Sequence, residues 1–182
     1  MQELSLNILD IVQNSIKAKS TLIEISIKKY TDDKTMLISI KDNGCGMTKE
    51  QVEQVVDPFY TTRTTRKVGL GVPFFKMSAV MTGGSFFINS EVGKGTIINA
   101  HYNYENIDMM PVGDIAATIL SLVSVNPDID FVYLYAIDQQ SFTMDTREIK
   151  VILEGMPVNS HEVLSFIKDF INENQSEIDY KN

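Results

Sequence analysis

An alternating apolar run over residues 37–40 opens directly onto Asp42-Asn43-Gly44-Cys45-Gly46-Met47, and this junction constrains the chain more than any other stretch. A strand that ends in Asp-x-Gly-x-Gly brings one carboxylate and two positions without side chains to a single spot. An ionised carboxylate only accepts hydrogen bonds, which suits an amine donor. The glycines let backbone pass close to a flat ligand and take positive φ at little steric cost. Asp-Asn-Gly is also a common turn, so the weight lies in what surrounds it. A helix bearing Asn7 and Asn14 precedes it. Asp57-Pro58-Phe59-Tyr60-Thr61-Thr62-Arg63, then Gly69-Leu70-Gly71, then Gly93-Lys94-Gly95-Thr96 follow it. Four elements in this order are far more specific than one.

Periodicity supplies the scaffold. Residues 4–18 read as a helix with Leu4, Ile8, Ile11, Val12 and Ile16 as apolar positions. Glu3, Asn7, Asp10, Asn14 and Lys17 recur at spacings that place them on one face. Leu6 and Leu9 make the remainder largely apolar, so the polar stripe is expected to face a ligand cleft. Residues 22–30 and 35–41 alternate around Asp32-Asp33-Lys34 and predict a β-hairpin. Thr48 starts a short helix that Pro58 stops. Residues 57–71 read as a loop, and 72–81 as an apolar helix with Pro73 in its first turn. Residues 85–92 and 96–104 predict a second hairpin around Gly93-Lys94-Gly95.

Beyond Pro111 the pattern predicts a helix over 112–125, a strand over 131–137 paired with 141–144, and a helix over 146–154. A last helix opens with a capping box of Asn159 and Glu162 and ends near Asn172, with a frayed tail from Glu173. The expected organisation is a first domain over 1–104, a linker over 105–111, and a small acidic α/β appendage over 112–182.

Charge divides the chain along the same line. Residues 1–104 carry 12 Lys+Arg and 10 Asp+Glu, whereas residues 105–182 carry 4 and 14, a net of –10. Residues 58–90 contain no acidic side chain and hold Arg63, Arg66, Lys67 and Lys76. A locally positive segment in an acidic protein suits a polyanionic ligand. The acidic second part argues against nucleic acid as a partner, because neutralising phosphates dominates that binding. No run reaches bilayer-spanning length, and no basic leader precedes the first helix, so the reading is a cytoplasmic protein without membrane partners. The single Cys45 excludes an internal disulfide and any multi-cysteine metal site in one chain. Its position inside the glycine loop reads as a small packing residue.

Over residues 3–104 these motifs resemble the GHKL ATP-binding superfamily, shared by gyrase, Hsp90-type chaperones, histidine kinases and MutL-type repair proteins. The Asp57-Pro58-Phe59-Tyr60 and Gly69-Leu70-Gly71-Val72-Pro73 stretches are most similar to the lid motifs of its histidine-kinase and anti-sigma-kinase branch. The resemblance implies a Bergerat fold: an α/β two-layer sandwich with a mixed, mostly antiparallel sheet and helices on one face. It implies ATP and Mg²⁺ as cofactors. Asp42 would accept from the adenine amine, with Gly44 and Gly46 closing on the base and ribose. Thr96 would bond adenine directly or through water. Asn14 would be the magnesium ligand, and a neutral amide oxygen beside phosphates suits that hard cation. Lys17 would touch phosphate. Arg63, Arg66 and Lys67 belong to the implied lid, and arginine forks match phosphate oxygens. Gly69, Leu70 and Gly71 would offer backbone N–H groups at the start of the following helix. No P-loop is present.

Asp10 decides the mechanism. Gyrase-like and MutL-like members carry a glutamate four residues before the metal asparagine, where it activates water. Here the carboxylate is kept but is one methylene shorter. Asp10 is therefore a general base, a group that reaches Mg²⁺ through its waters, or a helix-face aspartate. No helical hairpin carries a phosphoacceptor histidine, and His101 and His161 read as structural. The expectation is a Mg²⁺-dependent ATP-binding protein that acts as a regulatory kinase on a partner protein in signal transduction. The alternative is an ATPase or ATP-gated switch without transfer to protein. A partner is expected on the acidic C-terminal part, and a homodimer is compatible with the chain.

Overall fold

Alternation in the sequence builds one amphipathic sheet. The computed structural model describes residues 3–57 and 70–181. In β1 (Leu22–Tyr30) Ile23, Ile25 and Ile27 are buried, and in β2 (Thr35–Asp42) Met36, Ile38 and Ile40 are. The two strands pair antiparallel with Ile25 opposite Ile40. A second hairpin, β3 (Ser85–Glu91) and β4 (Gly95–Asn103), joins through β4 to β2, which sets Thr96 opposite both Asp42 and Ser90. This register decides the site described below, because it carries the ends of three strands to one place.

The helices cover the buried face. The helix α1 (Leu4–Lys17) buries Leu4, Ile8, Ile11 and Val12. It packs against α3 (Gly71–Met81) on one side and α4 (Ile115–Val125) on the other, and α4 packs against α6 (His161–Lys181). Short α2 (Lys49–Val55) starts with a capping box in which Thr48 accepts from the Gln51 N–H and Gln51 accepts from the Thr48 N–H. The opposite face of the sheet carries Glu24, Ser26, Lys28, Ser39 and Lys41, with an ion pair of 2.7 Å between Lys41 and Glu24. The two-layer Bergerat sandwich is therefore the fold.

The segment over 112–182 completes this sheet. Its β5 (Asp130–Ile137) runs parallel to β1, with Ile23 opposite Phe131, and its β6 (Gln140–Asp145) forms the edge. The strand order is β3-β4-β2-β1-β5-β6. Phe131 and Tyr133 are fully buried in the same hydrophobic cluster as Ile8 and Ile25. The stretch 105–111 is also tied down. The Leu4 and Ser5 N–H groups, which have no partner within α1, donate to the carbonyls of Pro111 (2.9 Å) and Val112 (2.8 Å). The short α5 (Thr146–Ile152) lies against β5, where Lys150 pairs with Asp130 at 2.7 Å. Among the described residues no helix is long and apolar enough to cross a membrane.

The C-terminal tail corrects the sequence reading. The expected fraying from Glu173 does not occur, because α6 continues to Lys181. Ile178 returns to the core at 6% exposure, and the Tyr135 hydroxyl donates to Asp179 at 2.6 Å. Burial, then the Asp179 carboxylate, pushes the Tyr135 phenol far above its usual range. One apolar residue among polar neighbours was too sparse a signal for a further helical turn. The expected Asn159 cap is also not made. Its amide instead donates to the Ser124 carbonyl at 3.2 Å, which ties α6 to α4. Ile178→Ala is expected to cost about 2–4 kcal/mol of folding stability, the usual range for truncating a buried isoleucine. Urea unfolding followed by circular dichroism measures this, and a cost within error of zero would mean that the last turns are not part of the core.

Candidate functional site

The ends of α1, β2, β3 and β4 enclose a cleft lined by Ile11, Asn14, Asp42, Gly46, Met47 and Thr96, with Val55, Val72, Ile88 and Ile98 among its further apolar walls. Strand register explains the gathering. Asp42 and Thr96 face each other across β2 and β4, and the buried side of α1 lies over the same end of the sheet.

Asp42 is held at both oxygens. Its Oδ2 accepts from the Ser15 hydroxyl at 2.6 Å, and its Oδ1 accepts from the Gly44 N–H at 2.9 Å. Each carboxylate oxygen has a second lone pair, so acceptor capacity remains for a ligand donor. Ser15 is buried at 4% exposure, in a helix where serine gains nothing from intrinsic propensity. Its hydroxyl instead fixes the plane of the carboxylate.

The loop after Asp42 is tied at several points. The Asn43 side chain accepts from the N–H groups of Thr21 and Leu22 at 2.9 and 3.0 Å and donates to the Thr21 hydroxyl at 2.9 Å. The Cys45 N–H donates to the Ala18 carbonyl, and the Cys45 carbonyl accepts from the Gly93 N–H. Gly46 sits at φ +66°, and a Cβ there would lie 2.0 Å from the Glu91 carbonyl oxygen. Only glycine fits that backbone. Ser90 closes the far side. Its hydroxyl accepts from the Met47 N–H at 2.8 Å, and lies 3.0 Å from the Gly95 carbonyl and 2.8 Å from the Thr96 hydroxyl.

The residues expected at the site are placed as follows. Asn14, Asp42, Gly46 and Thr96 line one cleft. Gly44 stands behind it as a donor to Asp42. Asp10 is exposed on α1, and a Cβ on Gly71, the first residue of α3, would lie 2.8 Å from its Cβ. Lys17 is exposed and not among the cleft residues, and Leu70 is 47% exposed just before α3. Arg63, Arg66, Lys67 and Gly69, with nearly all of the expected lid, lie outside the described residues. Cys45 is exposed and lines the cleft, so it is not the packing residue that its loop position suggested. His161 is exposed, and His101 makes an edge contact with Phe87 at 6.3 Å. Sequence reasoning missed Ser15 and Ser90. Ser15 lies beside Asn14 but off the polar stripe, and Ser90 was recoverable only from the pairing of β3 with β4.

The family model for histidine kinase-, DNA gyrase B- and HSP90-like ATPases matches residues 2–106. The chain belongs to this family. It is 35% identical over 91 residues to Sporulation kinase C of Bacillus subtilis (strain 168), covering 49% of this chain and 21% of that protein. It is 34% identical over 99 residues to a putative sensor protein of Shewanella frigidimarina (strain NCIMB 400), covering 53% of this chain and 15% of that protein. The chain thus spans about a fifth or less of the length of these relatives. In fold it is similar to the crystal structure of the N-terminal domain of a DNA repair protein, with a TM-score of 0.57 and 16% identity over 80% of this chain and 53% of that one. A histidine-kinase-like ATPase domain therefore occupies the first part of the chain, and α4 to α6 with β5 and β6 lie outside the family match.

The clamp on Asp42 and the turn at Gly46 carry measurable stability. Ser15→Ala is expected to cost about 1–2 kcal/mol, since it removes a hydrogen bond to a charged acceptor that water partly replaces. Gly46→Ala combines positive φ with a backbone clash and is expected to cost more than about 2 kcal/mol. Urea unfolding of both variants gives the order, and a Gly46→Ala protein as stable as wild type would contradict the loop geometry.

Proposed function

We propose that this chain binds ATP with Mg²⁺ in the Asp42 cleft and transfers the γ-phosphoryl group to a partner protein, as a regulatory kinase in signal transduction. The observation that carries this reading is the doubly held Asp42 carboxylate in a cleft whose other walls are mostly apolar. An adenine offers an exocyclic amine that needs one acceptor, and two flat faces that need apolar walls. The cleft supplies Asp42 for the first, with Ile11, Met47, Val72, Ile88 and Ile98 among the walls for the second. Thr96, which lines the same cleft, would bond the base directly or through water. The similarity to a sporulation kinase and a sensor protein supports kinase over other uses of the fold.

The residues present fit a magnesium ion. Asn14 offers a neutral amide oxygen from a half-buried position on the cleft wall. No cluster of three His, Cys, Asp or Glu side chains able to hold a metal occurs among the described residues. That donor set matches a cation that keeps several waters and takes its other ligands from phosphates. When bound, the ion would neutralise phosphate charge. Asn14 would hold it, Lys17 is assigned to phosphate, and Arg63, Arg66, Lys67, Gly69, Leu70 and Gly71 are assigned to the triphosphate side on their sequence pattern. Asp10 stands one helical turn from Asn14, beside the start of α3. The short reach of an aspartate disfavours efficient activation of water, because base catalysis depends steeply on position. Slow basal hydrolysis follows, which suits a kinase awaiting its acceptor.

Calorimetry and γ-labelled ATP test these assignments together. Asp42→Asn is expected to lower ATP affinity by at least about tenfold, as an acceptor becomes partly a donor. Asn14→Ala is expected to remove the magnesium dependence of binding. Wild type should release phosphate slowly, and Asp10→Asn should reduce any release by about 10²-fold or more if Asp10 acts as a base. Unchanged ATP binding in Asp42→Asn would remove the adenine assignment. A robust hydrolysis rate unchanged in Asp10→Asn would remove Asp10 from the mechanism.

A further inference from the structure

The segment outside the family match carries a surface that the nucleotide reading does not use. Between α5 and the first turns of α6 runs a groove lined by Ile149, Ile152, Leu153, Val163 and Phe166, with Glu162 its one charged residue. Ile152 is 78% exposed and Phe166 58%, and neighbouring Val151 and Met156 are 79% and 53% exposed. An apolar patch of this continuity on a soluble protein marks an interaction site more often than chance. Its wall is pre-built. Phe166 stacks on Phe170 at 6.2 Å, and Phe170 meets Phe142 of the sheet edge edge-on at 5.9 Å. The exposed ring is thereby fixed to the core, so ordering it on binding costs little.

The charge around the groove selects the occupant. Glu148 adjoins Ile149, Glu154 adjoins Leu153, Glu162 lies in the lining, and Asp169 stands one turn from Phe166. Of the four basic residues in this half, Arg147, Lys150 and Lys181 are engaged by Asp145, Asp130 and Glu177, and Lys168 is exposed on α6 beside Asp169. The four acidic residues Glu148, Glu154, Glu162 and Asp169 thus face one unengaged cation, Lys168, and the surroundings of the groove keep a net negative charge. A second copy of this chain would oppose acid to acid, and nucleic acid or an anionic lipid surface would be repelled. We infer that the α5–α6 groove docks an amphipathic helical segment of another protein, with apolar anchors flanked by lysine or arginine. Helix-in-groove recognition reads such anchors at i, i+3 or i+4 and i+7 spacing. The inference stands on the groove alone and does not depend on the nucleotide assignment.

The test uses the full chain and two labelled helical probe peptides with the same leucine stripe, one with lysine and one with glutamate on the polar face. Fluorescence anisotropy should show binding of the leucine–lysine probe, at least about tenfold tighter than the leucine–glutamate probe and weakened by salt. Phe166→Ala and Ile152→Asp should each reduce that binding by about tenfold or more. Both positions are exposed, so circular dichroism should be unchanged. The charge reversal Glu162→Lys with Asp169→Lys should also weaken the leucine–lysine probe while leaving the fold intact. The inference is overturned if the leucine–lysine probe fails to bind, or if it binds equally to the Phe166→Ala and Ile152→Asp proteins, since attraction would then be diffuse charge. It is equally overturned if the wild-type protein self-associates through the groove, with dimers lost in Ile152→Asp.

Discussion

The Asp42 carboxylate is the joint on which this molecule turns. It ends β2, receives the Ser15 hydroxyl from α1, and receives the Gly44 N–H from its own loop. Helix layer and sheet layer are thus registered to each other at the place where the cleft opens. Charge-assisted hydrogen bonds of this kind are worth about 1.5–3 kcal/mol each, but their larger consequence is geometric. A carboxylate fixed at both oxygens has few orientations left, so a ligand amine would meet an acceptor that is already aimed. The neighbouring ties through Asn43, Cys45 and Ser90 make the surrounding loop equally determined.

Much of this was legible in the sequence, and the reasons are physical. Alternation over 22–30 and 35–41 fixed which faces of β1 and β2 are buried, and every isoleucine in that pattern lies inward. Glycines at 44 and 46 marked the loop, because only glycine tolerates the backbone at Gly46. What stayed hidden depends on long-range pairing. Ser15 joins Asp42 across 27 residues and Ser90 reaches Met47 across 43, and a serine carries no local signal of such a bond. The parallel pairing of β5 with β1 was hidden for the same reason, since strand partners far apart in sequence leave no local mark. The final turns of α6 were missed because Ile178 is a lone apolar residue in a polar tail.

The shared sheet has a consequence for how the two halves of the chain work. The family match ends at residue 106, but the core does not. Phe131 and Tyr133 pack in the cluster that supports α1, and α4 lies directly against α1. The helices that form the α5–α6 groove and the helix that carries Asp10, Asn14 and Ser15 are thus packed on one continuous core, through β5 and α4.

We propose that the held carboxylate of Asp42 recognises adenine. Parallel calorimetric titrations of ATP and GTP into the wild-type chain, with magnesium, test it most directly. Adenine presents an amine to the carboxylate, whereas guanine presents a carbonyl at the equivalent edge, and two opposed acceptors cannot hydrogen-bond to each other. ATP is expected to bind at least about 100-fold more tightly than GTP, since a site built to hydrogen-bond one group strongly rejects a ligand that lacks it. Equal affinities for the two nucleotides would contradict it.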